Sequence, residues 1–146
     1  EVFGGAVFCL AVPGWAATSC TFTSVAAVSF GAYDVFATLP NNNGVGSLTV
    51  HCQGGGGKQT FAVTLSRGQS HSYTSRVMMS GANLLSYNLY TSAARTLVWG
   101  DGSGISSVMM AGRNTTTTLN VFGQIPAGQD VAIGTYNDSI TATVNF

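Results

Sequence analysis

Ser139-Ile140-Thr141-Ala142-Thr143-Val144-Asn145-Phe146 alternates without a fault. Ile140, Ala142, Val144 and Phe146 fall on one face, and Ser139, Thr141, Thr143 and Asn145 on the other. A period of two with apolar and polar faces predicts a β-strand lying between a core and water. The sequence closes on this strand with no turn or returning strand after it, so its second edge is expected to be uncovered. An uncovered edge above an apolar face is a place where another chain can pair.

Working back from that strand, short alternating runs recur with turn residues between them, and no stretch carries helical periodicity. Strands are expected near Cys20–Phe30, Gly46–Cys52, Gln59–Ser66, Ser72–Met79, Leu84–Tyr90, Thr96–Trp99, Ile105–Met110, Thr115–Gly123 and Ser139–Phe146. The intervening Asn41 to Gly44, Gly54 to Gly57, Gly81 to Asn83, Gly100 to Gly104 and Ala111 to Asn114 supply residues that tolerate positive φ. Many short strands at such spacing predict an all-β sandwich or barrel in one domain.

Composition narrows the function. Hydrophobic residues make up 45% of the 146 and charged residues 7%, with five basic side chains balancing five acidic ones. No net field exists to draw nucleic acid or anionic lipid, so neither is expected as a partner. Ser, Thr, Asn and Gly carry the polarity instead, which suits a secreted β-rich protein.

Residues 1–16 contain the apolar run Ala6 to Val12, then Pro13-Gly14, with Gly14 and Ala16 placed like the small residues of a signal-peptidase site. They read as part of a secretory signal, cleaved after Ala16, leaving 17–146 as the mature domain. Residues 2 to 12 can also be drawn as a buried or donor strand. After cleavage Cys20 and Cys52 would remain as an even pair in an oxidising compartment, both on the apolar phase of their strands. A bridge between them would stabilise the fold by about 3–4 kcal/mol.

Five motifs in register resemble one family. They are Phe30-Gly31-Ala32-Tyr33-Asp34, Val50-His51-Cys52, Leu85-Ser86-Tyr87-Asn88-Leu89-Tyr90, Trp99-Gly100-Asp101-Gly102, and Phe122 to Gln129 followed by Gly134-Thr135-Tyr136-Asn137-Asp138. The chain from Cys20 to Phe146 resembles the spore coat protein U domain family, which includes subunits of archaic chaperone–usher pili and related coat and surface proteins. The resemblance implies an immunoglobulin-like sandwich lacking its final strand. It also implies export through the periplasm to the cell surface. A periplasmic chaperone, an outer-membrane usher and neighbouring pilus or coat subunits are then the expected partners, the missing strand being supplied by donor-strand complementation.

On that expectation the donor-strand groove lies beside the last strand, floored by Leu119, Val121, Ile140, Val144 and Phe146. Filling it would bury about 500 Å² of apolar surface, worth on the order of 10 kcal/mol before ordering costs. If cleavage follows Ala16, only Ala17, Thr18 and Ser19 precede Cys20, and the chain could accept a strand but not donate one. That departure from the family's pilins favours a terminal or tip position, a truncated member, or the first domain of a longer adhesin.

Catalysis finds little support. Asp34, Asp101, Asp130 and Asp138 all stand in turn-like contexts, where an Asp side chain ordinarily caps the turn. His51 and His71 lack ligand spacing, so no metal and no cofactor are expected. Gly54 to Gly57 before Lys58 is not a phosphate loop, since Gln59 stands where Ser or Thr is required. Asn114-Thr115-Thr116 and Asn137-Asp138-Ser139 match glycosylation sequons by chance if the chain is bacterial, as the family suggests. The leading reading is a non-enzymatic structural or assembly subunit. The alternative is an adhesive tip or glycan-binding surface module, in which Trp99, Tyr90 and Phe122 could form a sugar platform. Trp99 reads more readily as a core anchor, and Phe122 sits on the polar phase of its strand.

Overall fold

A computed structural model describes Val2–Gly4 (as backbone), residues 17–54 and residues 56–146. Eleven strands are present, and no helix occurs among the described residues. One sheet has the order β1 (Val2–Gly4), β11 (Ser139–Asn145), β4 (Thr60–Leu65), β9 (Met109–Gly112). The other runs β2 (Ser19–Ser29), β3 (Val45–Gln53), β10 (Thr115–Gln124), β6 (Asn83–Tyr90), β7 (Val98–Trp99), β8 (Ser106–Ser107), with β5 (Arg76–Ser80) also paired to β6. The architecture is an immunoglobulin-like β-sandwich.

Alternation in the sequence sets which side chains meet between the sheets. Leu48 and Val50 of β3, Leu119 and Val121 of β10, and Leu85, Tyr87 and Leu89 of β6 face inward from one layer. Phe61, Val63 and Leu65 of β4 and Ile140, Ala142 and Val144 of β11 face them from the other. Trp99 is fully buried and its indole N–H donates to the Val63 carbonyl at 2.8 Å, tying the end of one sheet to the middle of the other. An aromatic of that size with its one polar atom satisfied anchors a core.

The Cys20–Cys52 disulfide joins β2 to β3, where the two residues are direct cross-strand partners. The β9–β10 hairpin turns at Arg113-Asn114. Asn114 takes φ 54°, a conformation Asn tolerates better than most, and its Oδ1 accepts from the Gly54 amide at 3.1 Å.

Three expectations shift. The strand expected over Ile105–Met110 breaks at Val108: β8 pairs in parallel with β7 in one sheet, whereas β9 pairs with β4 in the other. A run that crosses between layers cannot be one strand. The strand expected from Ser72 begins only at Arg76, because Ser70 Oγ donates to the Ser72 and Ser75 carbonyls and Ser72 Oγ accepts from Thr74 N–H. Hydroxyls so placed draw the backbone away from a ladder. Ala111 and Gly112, expected in a turn, extend β9, with Ala111 fully buried.

Candidate strand-addition edge

β11 has one edge on β4, pairing Ala142 with Leu65 through Asn145 with Ala62. Its other edge carries β1, in parallel, with Val2 opposite Ser139, Phe3 opposite Ile140 and Gly4 opposite Thr141. β1 also packs against β2, an edge strand of the facing sheet. Three residues from the start of the chain therefore lie in the gap where the outer edges of the two sheets come together. Beyond Thr141 no strand among the described residues pairs with that edge of β11. The remainder of the stretch read as a secretory signal, Glu1 and residues 5–16, lies outside the described residues.

The five residues expected to floor a groove are gathered into one apolar cluster. Leu119 and Val121 come from β10, Ile140 and Val144 from β11, and Phe146 packs against the cluster from its rim. The first four are between 0% and 5% exposed. Phe146 is half-buried, its ring edge-on to Phe61 with centroids 6.3 Å apart. None of the five lines the cleft at the head of β11; they lie beneath the edge, as its interior face.

Open apolar surface lies instead near the start of β11. A cleft of about 730 Å³ is walled by residues 27–36 at the end of β2 and residues 131–137 before β11. Phe30, Met78, Leu85, Ile125 and Tyr136 supply much of its apolar lining. Phe36 and Ile133 also border it and are 89% and 105% exposed. Alternation could not have found this cleft, because most of its wall is loop, residues 30–36 and 131–137.

Polar members of the motifs hold the surrounding frame. Tyr33 donates its hydroxyl to the Pro126 carbonyl at 2.8 Å and accepts from the Gln129 amide. Gln129 then mimics a strand partner, accepting from Ser86 N–H through Oε1 and donating to Ser86 C=O through Nε2, both at 2.8 Å. Of the aspartates, Asp34 and Asp101 cap turns, each accepting from the amide two residues on. The bonds from Ser103 hold the Asp101 carboxyl below its ordinary pKa. Asp138 differs from the turn expectation, being 2% exposed and bonded to Tyr87 of the opposite sheet.

Arg76 escaped the sequence reading altogether. It is fully buried, donating to Ser66 C=O (3.1 and 2.9 Å), Asn88 Oδ1 (2.7 Å) and Trp99 C=O (2.6 Å). Burial pushes its guanidinium below the usual pKa and pushes the neighbouring Tyr73 hydroxyl above its own. A lone Arg in an alternating strand gives no signal that it will be internal.

Chemistry of a catalytic kind has little to work with. His51 Nδ1 lies 3.0 Å from Thr116 Oγ1 on the outer sheet face, and His71 is exposed. Among the described residues no three His, Cys, Asp or Glu side chains cluster as metal ligands would. Trp99 is buried and offers no surface to a sugar, while Phe122 lies half-buried under the Arg95 guanidinium, 5.9 Å from the ring centroid.

Two sheets packed face to face, with a short strand between two of their edges, define the class of immunoglobulin-like β-sandwich domains. Within it, the chain belongs to the spore coat protein U domain family, whose model matches residues 6–143. It is 33% identical over 131 residues to Protein U of Myxococcus xanthus, covering 82% of this chain and 71% of that protein. Its fold is similar to a chain in the crystal structure of the CsuC–CsuE chaperone–tip adhesion subunit pre-assembly complex, from the archaic chaperone–usher Csu pili of Acinetobacter baumannii. The TM-score there is 0.59 at 21% identity, and the match covers 88% of this chain but 40% of that one.

Proposed function

We propose that this protein is a non-enzymatic structural subunit of a surface pilus or coat, which accepts a donor strand along the free edge of β11. The observation that carries this is the seating of Val2–Gly4 on Ser139–Thr141, in the gap between β11 and β2. An extended segment added there gains ladder hydrogen bonds from the edge and covers the interior face formed by Ile140, Val144, Phe146, Leu119 and Val121. The donor in assembly is a periplasmic chaperone first, and then a neighbouring subunit at an outer-membrane usher. Family membership and the similarity to a chaperone–tip complex support those partners and a route through the periplasm to the cell surface.

Residues 1–16 serve as the secretory signal in this scheme, and the mature chain begins at Ala17. Without a donor segment before Cys20 it caps a fibre rather than repeating along it. N-terminal sequencing of exported protein checks the cleavage directly. Retention of residues 1–16 would make the chain an ordinary donor as well as an acceptor. The acceptor role itself is tested by co-expressing the chain with its cognate periplasmic chaperone. The expected result is a one-to-one complex whose cross-links map to β11 and β2, and a soluble chain that never engages the chaperone would sink the proposal.

The adhesive reading draws on one observation, the exposed Phe36, Leu39 and Ile133 on the loops around the cleft. Apolar side chains left in water on a protein with so few charges suit contact with a surface. Substituting all three with Ser should abolish attachment without touching assembly if the loops are the adhesive element.

A further inference from the structure

Asp138 is the residue immediately before β11, and its carboxylate gathers three separate parts of the fold. Oδ2 accepts from the Tyr87 hydroxyl of β6, in the opposite sheet, at 2.7 Å. Oδ1 accepts from the Gln69 amide at 2.9 Å, the Gln69 side chain at 3.3 Å and the Ser139 amide at 2.8 Å. Gln69 reaches on to the Asn137 carbonyl at 3.0 Å, and Ser66 exchanges bonds with the Thr141 backbone at 2.9 Å, so the connection between β4 and β5 holds the chain on both sides of Asp138. Gly68 makes the approach possible, since a Cβ there would come within 2.2 Å of Oδ2. A buried carboxylate surrounded by donors is strongly held, because each bond is charge-assisted and water cannot replace it.

The consequence falls on the edge itself. Ser139–Thr141, where β1 pairs, is the part of β11 next to this anchor, whereas the far end is held by its ladder to β4 and by Phe146 against Phe61. We propose that Asp138 is the positioning residue of the acceptor edge: it fixes the start of β11 so that an incoming apolar strand pairs there first. The inference rests on the acceptor reading above, and Asp138 touches the donor only through the backbone it orients.

The test measures association of the exported chain with a fluorescent peptide of about ten residues alternating Val and Thr, carrying terminal lysines for solubility. Asp138→Ala removes all four bonds and should slow association by at least about tenfold, the factor that the loss of even one charge-assisted bond supplies. Asp138→Asn keeps the Oδ1 acceptor and lets the Tyr87 hydroxyl accept from the new amide, so its rate should return close to that of the parent. Tyr87→Phe should fall between. Val63→Ala, on β4 opposite Val144 at the far end of β11, lowers stability without loosening the anchor and should leave the rate unchanged.

Hydrogen exchange should rise at Ser139–Thr141 in Asp138→Ala and not in Val63→Ala. If Asp138→Ala fails to fold, the order of Tyr87→Phe below Asp138→Asn carries the same information. Equal rates across the series with a parent that binds would overturn the positioning role and leave the acceptor reading standing. A parent that never binds the peptide would overturn both.

Discussion

Arg76 concentrates at one residue the conflict between burial and charge. Its guanidinium lies among neutral oxygens, the carbonyls of Ser66 and Trp99 and the amide oxygen of Asn88, with the Tyr73 ring 5.2 Å away. Arg keeps its charge in such a place because its donors fan out in a fixed plane and each can find an acceptor. Arg76→Met is therefore predicted to cost about 3–5 kcal/mol, since the apolar chain fills the space but takes the guanidinium's donors from the Ser66 and Trp99 carbonyls and leaves Asn88 Oδ1 to the Leu89 amide. Chemical denaturation of the exported protein reads this directly. A loss under about 1 kcal/mol would mean that water replaces the guanidinium and that the network is dispensable. Neither Arg76 nor Asp138 was legible from the sequence, because pattern reading assigns charged residues to water and turns. Only the three-dimensional meeting of β5, β6 and the segment before β11 shows why they are inside.

Elements fared differently. β3, β4, β10 and β11 lie within a residue or two of where alternation put them, because each has one face on the core and one in water. β8 and β9 were merged, because a sheet crossing at Val108 leaves no mark on a short apolar run. The motif glycines gain a physical account at this scale. Phe30 lies edge-on to Tyr87 with its ring pressed against the backbone of Gly44 and Gly123, where a Cβ would come within 2.4 Å of ring carbons. Gly44, just before β3, and Gly123 of β10 make a slot that any side chain would fill. Gly123→Ala should therefore force Phe30 out and destabilise the domain by about 1–3 kcal/mol, with the companion Phe30→Leu recovering part of the loss. Thermal melts of the two single variants and the double variant check it, and additivity of the two losses would contradict the slot.

Over the whole molecule, the two sheets share one core, and among the described residues β2 and β11 face each other across the gap that β1 enters. The final strand's alternation announced an edge with an apolar interior. It did not announce the cleft at the head of that edge, because loops of no fixed period build most of its wall. It also left open whether the first residues depart with a signal or pair as a strand, and in this structure Val2–Gly4 pair as a strand with β11. The most direct measurement is the melting temperature of the exported domain with and without an alternating apolar segment fused after Phe146 through a short flexible linker. A segment that pairs along the edge of β11 predicts a sharp rise for the fusion, and none for a control whose apolar positions are changed to Asp. An unfused domain that melts as high as the fusion would mean that the sandwich is already complete and accepts no strand.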